Sequence, residues 1–192
     1  MADHRARLRV KSGNRNLLSG PAAPLEKTSG ILFPYSPNIT TQTQVEYSQY
    51  DTQHTNYQQN AYSRTRTPNI QITADFVNQT TEEGLYTIGV LHFLRTATKM
   101  HFGRNDGKKG TPPPVLSFSA YGNFNFNFVP VLIGSFTQSY PNDVDYIQVG
   151  GSSIPAIMTI AIDLIPQYSA RKQLEFSLDK FASGELYNRG YI

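Results

Sequence analysis

The stretch IPAIMTIAIDLIP, residues 154–166, constrains the fold most. Met158, Ile160, Ile162 and Leu164 alternate with Thr159, Ala161 and Asp163. A two-residue period puts the first set on one face of a β-strand and the second on the other. Such a strand needs a sheet to pair with and an apolar layer to cover one face. The same period recurs in NIQITADFV, where Ile70, Ile72, Ala74 and Phe76 share a face. It returns in VLSFSAYG (Leu116, Phe118, Ala120) and in FNFVPVLIGSF, where Phe128, Leu132 and Phe136 alternate against Val129, Val131 and Ile133.

One segment breaks the pattern. Thr80 and Glu83 form a capping box ahead of Tyr86, Val90, Phe93, Ala97 and Met100, an apolar stripe of helical spacing. Glu82 and Glu83 suit the positive end of a helix dipole, and Arg95 and Lys99 the negative end. Gly103 offers a stop. A short final helix is expected within LEFSLDKFASGELYNRGYI. Many strands with one substantial helix predict a mainly β fold, a sandwich or barrel with an amphipathic helix on its flank.

Charge divides the chain in two. Residues 1–30 hold six Lys/Arg and two Asp/Glu, the remainder eleven and twelve. The leader has few large apolar residues, so residues 1–30 are expected to form a basic extended arm, with Arg5, Arg7, Arg9, Lys11 and Arg15 docking on an acidic partner. Residues 31–192 form the β domain. Within it, residues 31–68 are rich in Gln, Thr, Asn and Tyr. Val45, Tyr47 and Gln49 read as extended strand. Tyr47, Tyr50, Tyr57 and Tyr62 have the apolar body and polar tip that suit protein interfaces.

Several chemistries find no support. With no cysteine there is no disulfide, thiolate metal site or Cys nucleophile. The opening MADHRARLRVKSGNRN has no apolar run, so no secretory signal is expected, and the sequons at Asn38 and Asn78 read as accidental. No segment reaches the roughly 18 apolar residues of a membrane helix. His4, His54, His92 and His101 lack the close spacing of metal ligands. The glycine- and lysine-containing loop from Gly103 to Lys109 departs from a phosphate-binding loop, because the spacing is wrong, no hydroxyl follows the lysines and the order is helix, loop, strand. It reads instead as a basic tip, with Arg104, Asp106, Lys108 and Lys109, projecting on the stiff stem Pro112–Pro113–Pro114. Asp143 and Asp145 fall in the turn PNDVDY, where acids serve turn geometry. No catalytic residue, cofactor or metal is expected.

The chain from Ile31 to Ile192 resembles the tail-tube-like proteins of contractile-tailed bacteriophages, most of all the baseplate tail tube initiators, or baseplate–tail tube junction proteins. The resemblance lies in PYSPNI (34–39), YDTQHTNYQQNAY (50–62), IQITADF (70–76), LHFLRTATKMHFG (91–103), PPPVLSFSAYG (112–122), IPAIMTIAIDLIPQYS (154–169) and FASGELYNRGYI (181–192). It implies a β-sandwich with a flanking helix. Six copies would form a homohexameric ring, its inner strands closing into a barrel around a channel for DNA and the tape measure protein. The ring would initiate tail tube growth, with a tube protein ring above it and baseplate hub and spike proteins below. Residues 103–114 would be an inter-ring contact loop and the leader would dock on the baseplate. The location implied is the tail baseplate of the virion, assembled in the host cytoplasm, with no membrane contact. A major tail tube protein or tail terminator is the alternative within this class. From another class, the basic leader and exposed tyrosines would suit a module binding single-stranded nucleic acid.

Overall fold

The computed structural model describes residues 4–51, 53–122 and 124–192. Its centre is one seven-stranded sheet. The strands are β1 (Arg7–Arg9), β2 (Gly30–Leu32), β3 (Asn38–Thr41), β6 (Ile70–Val77), β7 (Leu116–Ala120), β8 (Phe126–Ser139) and β11 (Ile157–Pro166). They lie in the order β2-β1-β7-β8-β11-β6-β3, and every neighbouring pair is antiparallel. Two hairpins stand outside it: β4 (Gln44–Tyr50) with β5 (Gln59–Arg66), and β9 (Tyr146–Val149) with β10 (Ser152–Pro155).

The alternation read from the sequence holds along β6, β7 and β11, but in β8 a bulge between Ile133 and Ser135 puts Phe136 opposite Ile162 on the core side with Ile133, and not with the exposed Phe128. Ile70, Ile72, Ala74 and Phe76 of β6 are buried, as are Met158, Ile160, Ile162 and Leu164 of β11. Their register puts these sets opposite each other, Phe76 against Met158 and Ile72 against Ile162. Leu116, Phe118 and Ala120 continue the buried face, joined by Val129 and Val131 of β8.

Helix α1 (Thr81–Ala97) covers that face. Thr80 accepts from the Glu83 amide, and the Glu83 carboxylate accepts from the amides of Gln79 and Thr80 at 2.8 and 3.0 Å. These bonds hold the Glu83 pKa below its ordinary value. The far end differs from the sequence expectation. The helix closes at Thr98, whose amide and hydroxyl both donate to the Leu94 carbonyl, the hydroxyl also reaching that of Arg95. Met100 therefore leaves the apolar stripe and is exposed, and Gly103 is not the stop.

The second layer is helical, so within one chain the fold is mainly β, with one large antiparallel sheet and a few helices. The sheet is open, with β2 and β3 at its edges, and its apolar face packs on α1 and on 3-10 turns at Ser12–Leu18 and Gly20–Leu25. One strong apolar stripe suffices to cover one sheet face, so no second sheet is needed there.

Those 3-10 turns belong to the leader. Residues 5–30 are therefore not an arm set apart from the domain. Ala6, Leu8 and Val10 alternate into the core, and Leu18, Ala22 and Leu25 follow them. β1 sits between β2 and β7, with Leu8 opposite both Ile31 and Phe118. Gly89 on α1 lets the turn approach, since a Cβ there would lie 3.1 Å from the Pro21 carbonyl oxygen. The leader cannot fold alone, but it need not, because the domain supplies its apolar partners.

The last third holds two five-residue helices, α2 (Ala170–Leu174) and α3 (Leu178–Ala182). The second falls where a final helix was expected. Tyr191 closes this region by donating to the Lys172 carbonyl at 2.6 Å. Among the described residues, no helix is long and apolar enough to cross a membrane.

Candidate interaction surface

The β4–β5 hairpin is the most exposed ordered part of the molecule. Every residue of both strands is exposed except Glu46, which is half-buried. Its strands continue the β3–β6 pair. Thr41 pairs with Ile70, then two residues on one side and three on the other interrupt the ladder, and pairing resumes at Gln44 with Arg66. At a rise near 3.3 Å per residue, β4 carries the hairpin roughly 20 Å beyond the sheet.

Its two faces have different chemistry. On one, Gln44, Glu46, Arg64 and Arg66 align by alternation and register, and the Glu46 carboxylate binds both guanidinium groups. The Arg64 hydrogen bond, then that of Arg66, lowers the Glu46 pKa. On the other, Tyr47 lies directly opposite Tyr62, their rings edge-to-face at 6.2 Å between centroids. A bulge after Glu46 sets this register. Val45 extends the patch, and Tyr62 shares a 3.0 Å hydroxyl bond with Thr65. Tyr47 is 58% exposed, Tyr62 62% and Tyr57, at the tip, 86%. Tyr50 is exposed as well. The four tyrosines singled out by sequence thus share one projecting element.

The contact-loop residues meet a different fate. Backbone bonds from His101 to Thr111 (3.0 Å) and from Gly110 to His101 (2.8 Å) close the loop at its base. Asp106 is used inside it, accepting from the Lys108 amide at 2.9 Å and meeting His101 Nδ1 at 3.0 Å. The Lys108 amide first, and His101 next, lower the Asp106 pKa. Lys109 lies over the Phe102 ring at 5.4 Å. Arg104 and Lys108 are exposed at the tip. The proline stem does not stand clear of the domain as expected. Pro113 and Pro114 are half-buried, lining a hollow of about 480 Å³ with Leu17, Thr96 and Met100. The closed base bends the loop back, so the prolines lie along the helix end.

No protein-family model matches this chain, and no curated protein matches it.

The leader cations divide into two groups. Arg5, Arg7 and Arg9 line one hollow of the sheet face opposite α1, and Lys11 lines the next. Arg15 lies apart, in a hollow with Leu18, Ala23 and Glu26. Sequence reasoning missed two residues that join the first group, Phe128 and Lys172. A signal for the strip was present, since RARLRVK alternates cations with Ala6, Leu8 and Val10 as a strand does. Among the described residues, no group of three His, Asp or Glu could hold a metal ion.

Proposed function

We propose that this chain is a structural ring subunit, the tube initiator at the junction of a contractile phage baseplate and its tail tube. The β4–β5 hairpin carries the proposal. An isolated two-stranded hairpin is marginal in water, so an eight-residue strand exposed on both faces calls for a partner surface. Its tyrosine patch has the residue type enriched at the centres of interfaces. The sheet also has two edges, β2 and β3, that a closed ring of copies would pair or cover. In such a ring the hairpin reaches the neighbouring copy, and the sheet face away from α1 is the one free to line a channel for DNA and tape measure protein. Tube protein stacks above and hub and spike proteins lie below.

Copy number per particle tests this, by quantitative mass spectrometry against the major tube protein. One hexamer's worth supports a single initiating ring. Parity with the tube protein would make the chain the tube subunit instead, and absence from particles would end both. A Tyr47→Ser, Tyr62→Ser double variant should keep the Tm of the chain and lose incorporation into the ring.

A further inference from the structure

Two surfaces with uncharged centres stand beyond the same end of the central sheet. Register fixes this, because Thr41 and Leu164 both lie opposite Ile70. Just past that level the chain leaves β3 for the β4–β5 hairpin, and leaves β11 at Pro166 for the segment that carries α2 and α3. The hairpin continues the edge pair β3–β6. The segment after β11 turns toward β8, where the Gln167 amide donates to the Pro130 carbonyl at 2.8 Å.

The first surface is the tyrosine face of the hairpin. Val45, Tyr47 and Gln49 stand against Thr65, Tyr62 and Asn60, while Glu46, Arg64 and Arg66 take the reverse side. The second is built on a run of rings. Phe124 meets Tyr187 at 5.7 Å between centroids, Tyr187 meets Phe181 at 6.1 Å, and Phe181 meets Phe176 at 5.8 Å. Leu174, Phe176 and Leu178 follow one another at alternate positions through the turn between α2 and α3, and all three are exposed. Leu174 is 87% exposed, Leu178 70% and Phe124 79%. Glu175, set among them, is turned to Arg171 at 2.9 Å. Large apolar side chains grouped and left this bare mark a contact site.

We infer that the Tyr47–Tyr62 face of one copy docks on the Leu174–Phe176–Leu178 surface of the next. This deepens the ring reading and rests on it only for the presence of a second copy. Both centres are uncharged, so joining them buries no unpaired charge. Tyrosine rings on a phenylalanine and leucine surface bury apolar area and keep their hydroxyls at the wet margin. Within one chain both surfaces lie open, so the fold does not bring a chain's own pair together. The two surfaces differ, so the contact is head-to-tail, each copy giving one hairpin and receiving another. Such a series closes into a ring or runs on as a filament. At about 150–250 Å² per buried aromatic, two tyrosines supply roughly half of the ~800 Å² per partner that a stable interface needs. The sheet edges must supply the rest, so free chains associate weakly and the ring gains from closing.

The chain has no cysteine, so introduced thiols report without background. The test mixes full chains carrying Gln49→Cys with full, mass-tagged chains carrying Asp179→Cys at high concentration, oxidises them with copper phenanthroline and weighs the dimers by mass spectrometry. Both positions are exposed and flank the docking residues, and Tm confirms folding. The mixed dimer should exceed either like-with-like dimer severalfold. Tyr62→Ser in the giving chain, or Leu178→Ser in the receiving one, should lower its yield about fivefold. Dominance of a like-with-like dimer would mark a symmetric contact and overturn the inference, as would the absence of any dimer. Copy number per particle judges the initiator reading separately. A mixed dimer from a chain that proves to be the tube subunit leaves this contact standing, and one hexamer's worth per particle without the mixed dimer removes the contact alone.

Discussion

Thr87, in the middle of α1, donates a 2.6 Å hydrogen bond to the side-chain oxygen of Asn78, and both residues are buried. The Asn78 amide nitrogen donates in turn to the Pro155 carbonyl at 2.9 Å, and its backbone amide to that of Ala156 at 2.7 Å. One small polar network therefore ties the end of β6, the helix and the β10–β11 junction. Thr87→Val keeps the shape and leaves the Asn78 oxygen without its donor. The loss should be about 1–3 kcal/mol in chemical denaturation, since a buried acceptor is left unsatisfied.

Leu8 is fully buried between Ile31 and Phe118. Leu8→Ala should destabilise the whole domain by about 2–5 kcal/mol, the usual cost of a large-to-small core change. Removal of residues 1–30 should abolish cooperative unfolding rather than trim an appendage. A truncated chain with an unchanged Tm would contradict the placement of β1.

The Glu46 fork to Arg64 and Arg66 acts within the hairpin alone. Glu46→Gln should speed amide exchange across residues 44–50 and 59–66 and leave the global Tm where it was. Exchange measured by mass spectrometry checks this, and slower or unchanged exchange would show that the fork does not order the hairpin.

Glu83 gives α1 a pH-dependent start. Its folded pKa is depressed by the amides it accepts from, so its contribution is full above the ordinary glutamate value of 4.5 and is lost as pH falls below that. A Tm profile through acidic pH should steepen there, and Glu83→Gln should flatten that part of the profile. Identical slopes for the two proteins would assign the acid sensitivity to other carboxylates.

Gly84 approaches the β9–β10 hairpin, where an added Cβ would lie 2.5 Å from Val149 Cγ2. Helix propensity alone would reward Gly84→Ala by about 1 kcal/mol. Overpacking costs about 1–3 kcal/mol, so the net change in Tm should be downward. A rise in Tm would mean that the hairpin yields easily.

What the sequence made legible followed from periodicity. β6, β7 and β11 and the start of α1 could be read because alternation or a capping box lies in adjacent residues. The end of α1 could not, because a threonine hydroxyl rather than a glycine takes the last carbonyls. RARLRVK has the strand period, yet its small and charged residues hid its partners, which come from residues far along the chain. The tyrosines of the hairpin were legible as interface candidates by type. Their juxtaposition depends on a bulge that no local signal announces. Lys172 and Phe128 became neighbours of the leader only through the sheet order.

That sheet order bears on how the chain is made. β1 leaves the ribosome well before its partner β7, which lies in the second half of the sequence. Until β7 is synthesised, β1 has only the short strand β2 to pair with. Closure of so long a loop is slow relative to local pairing. The newborn chain thus passes through a period in which its basic first strand is paired on one side only, its other edge open to capture by another chain.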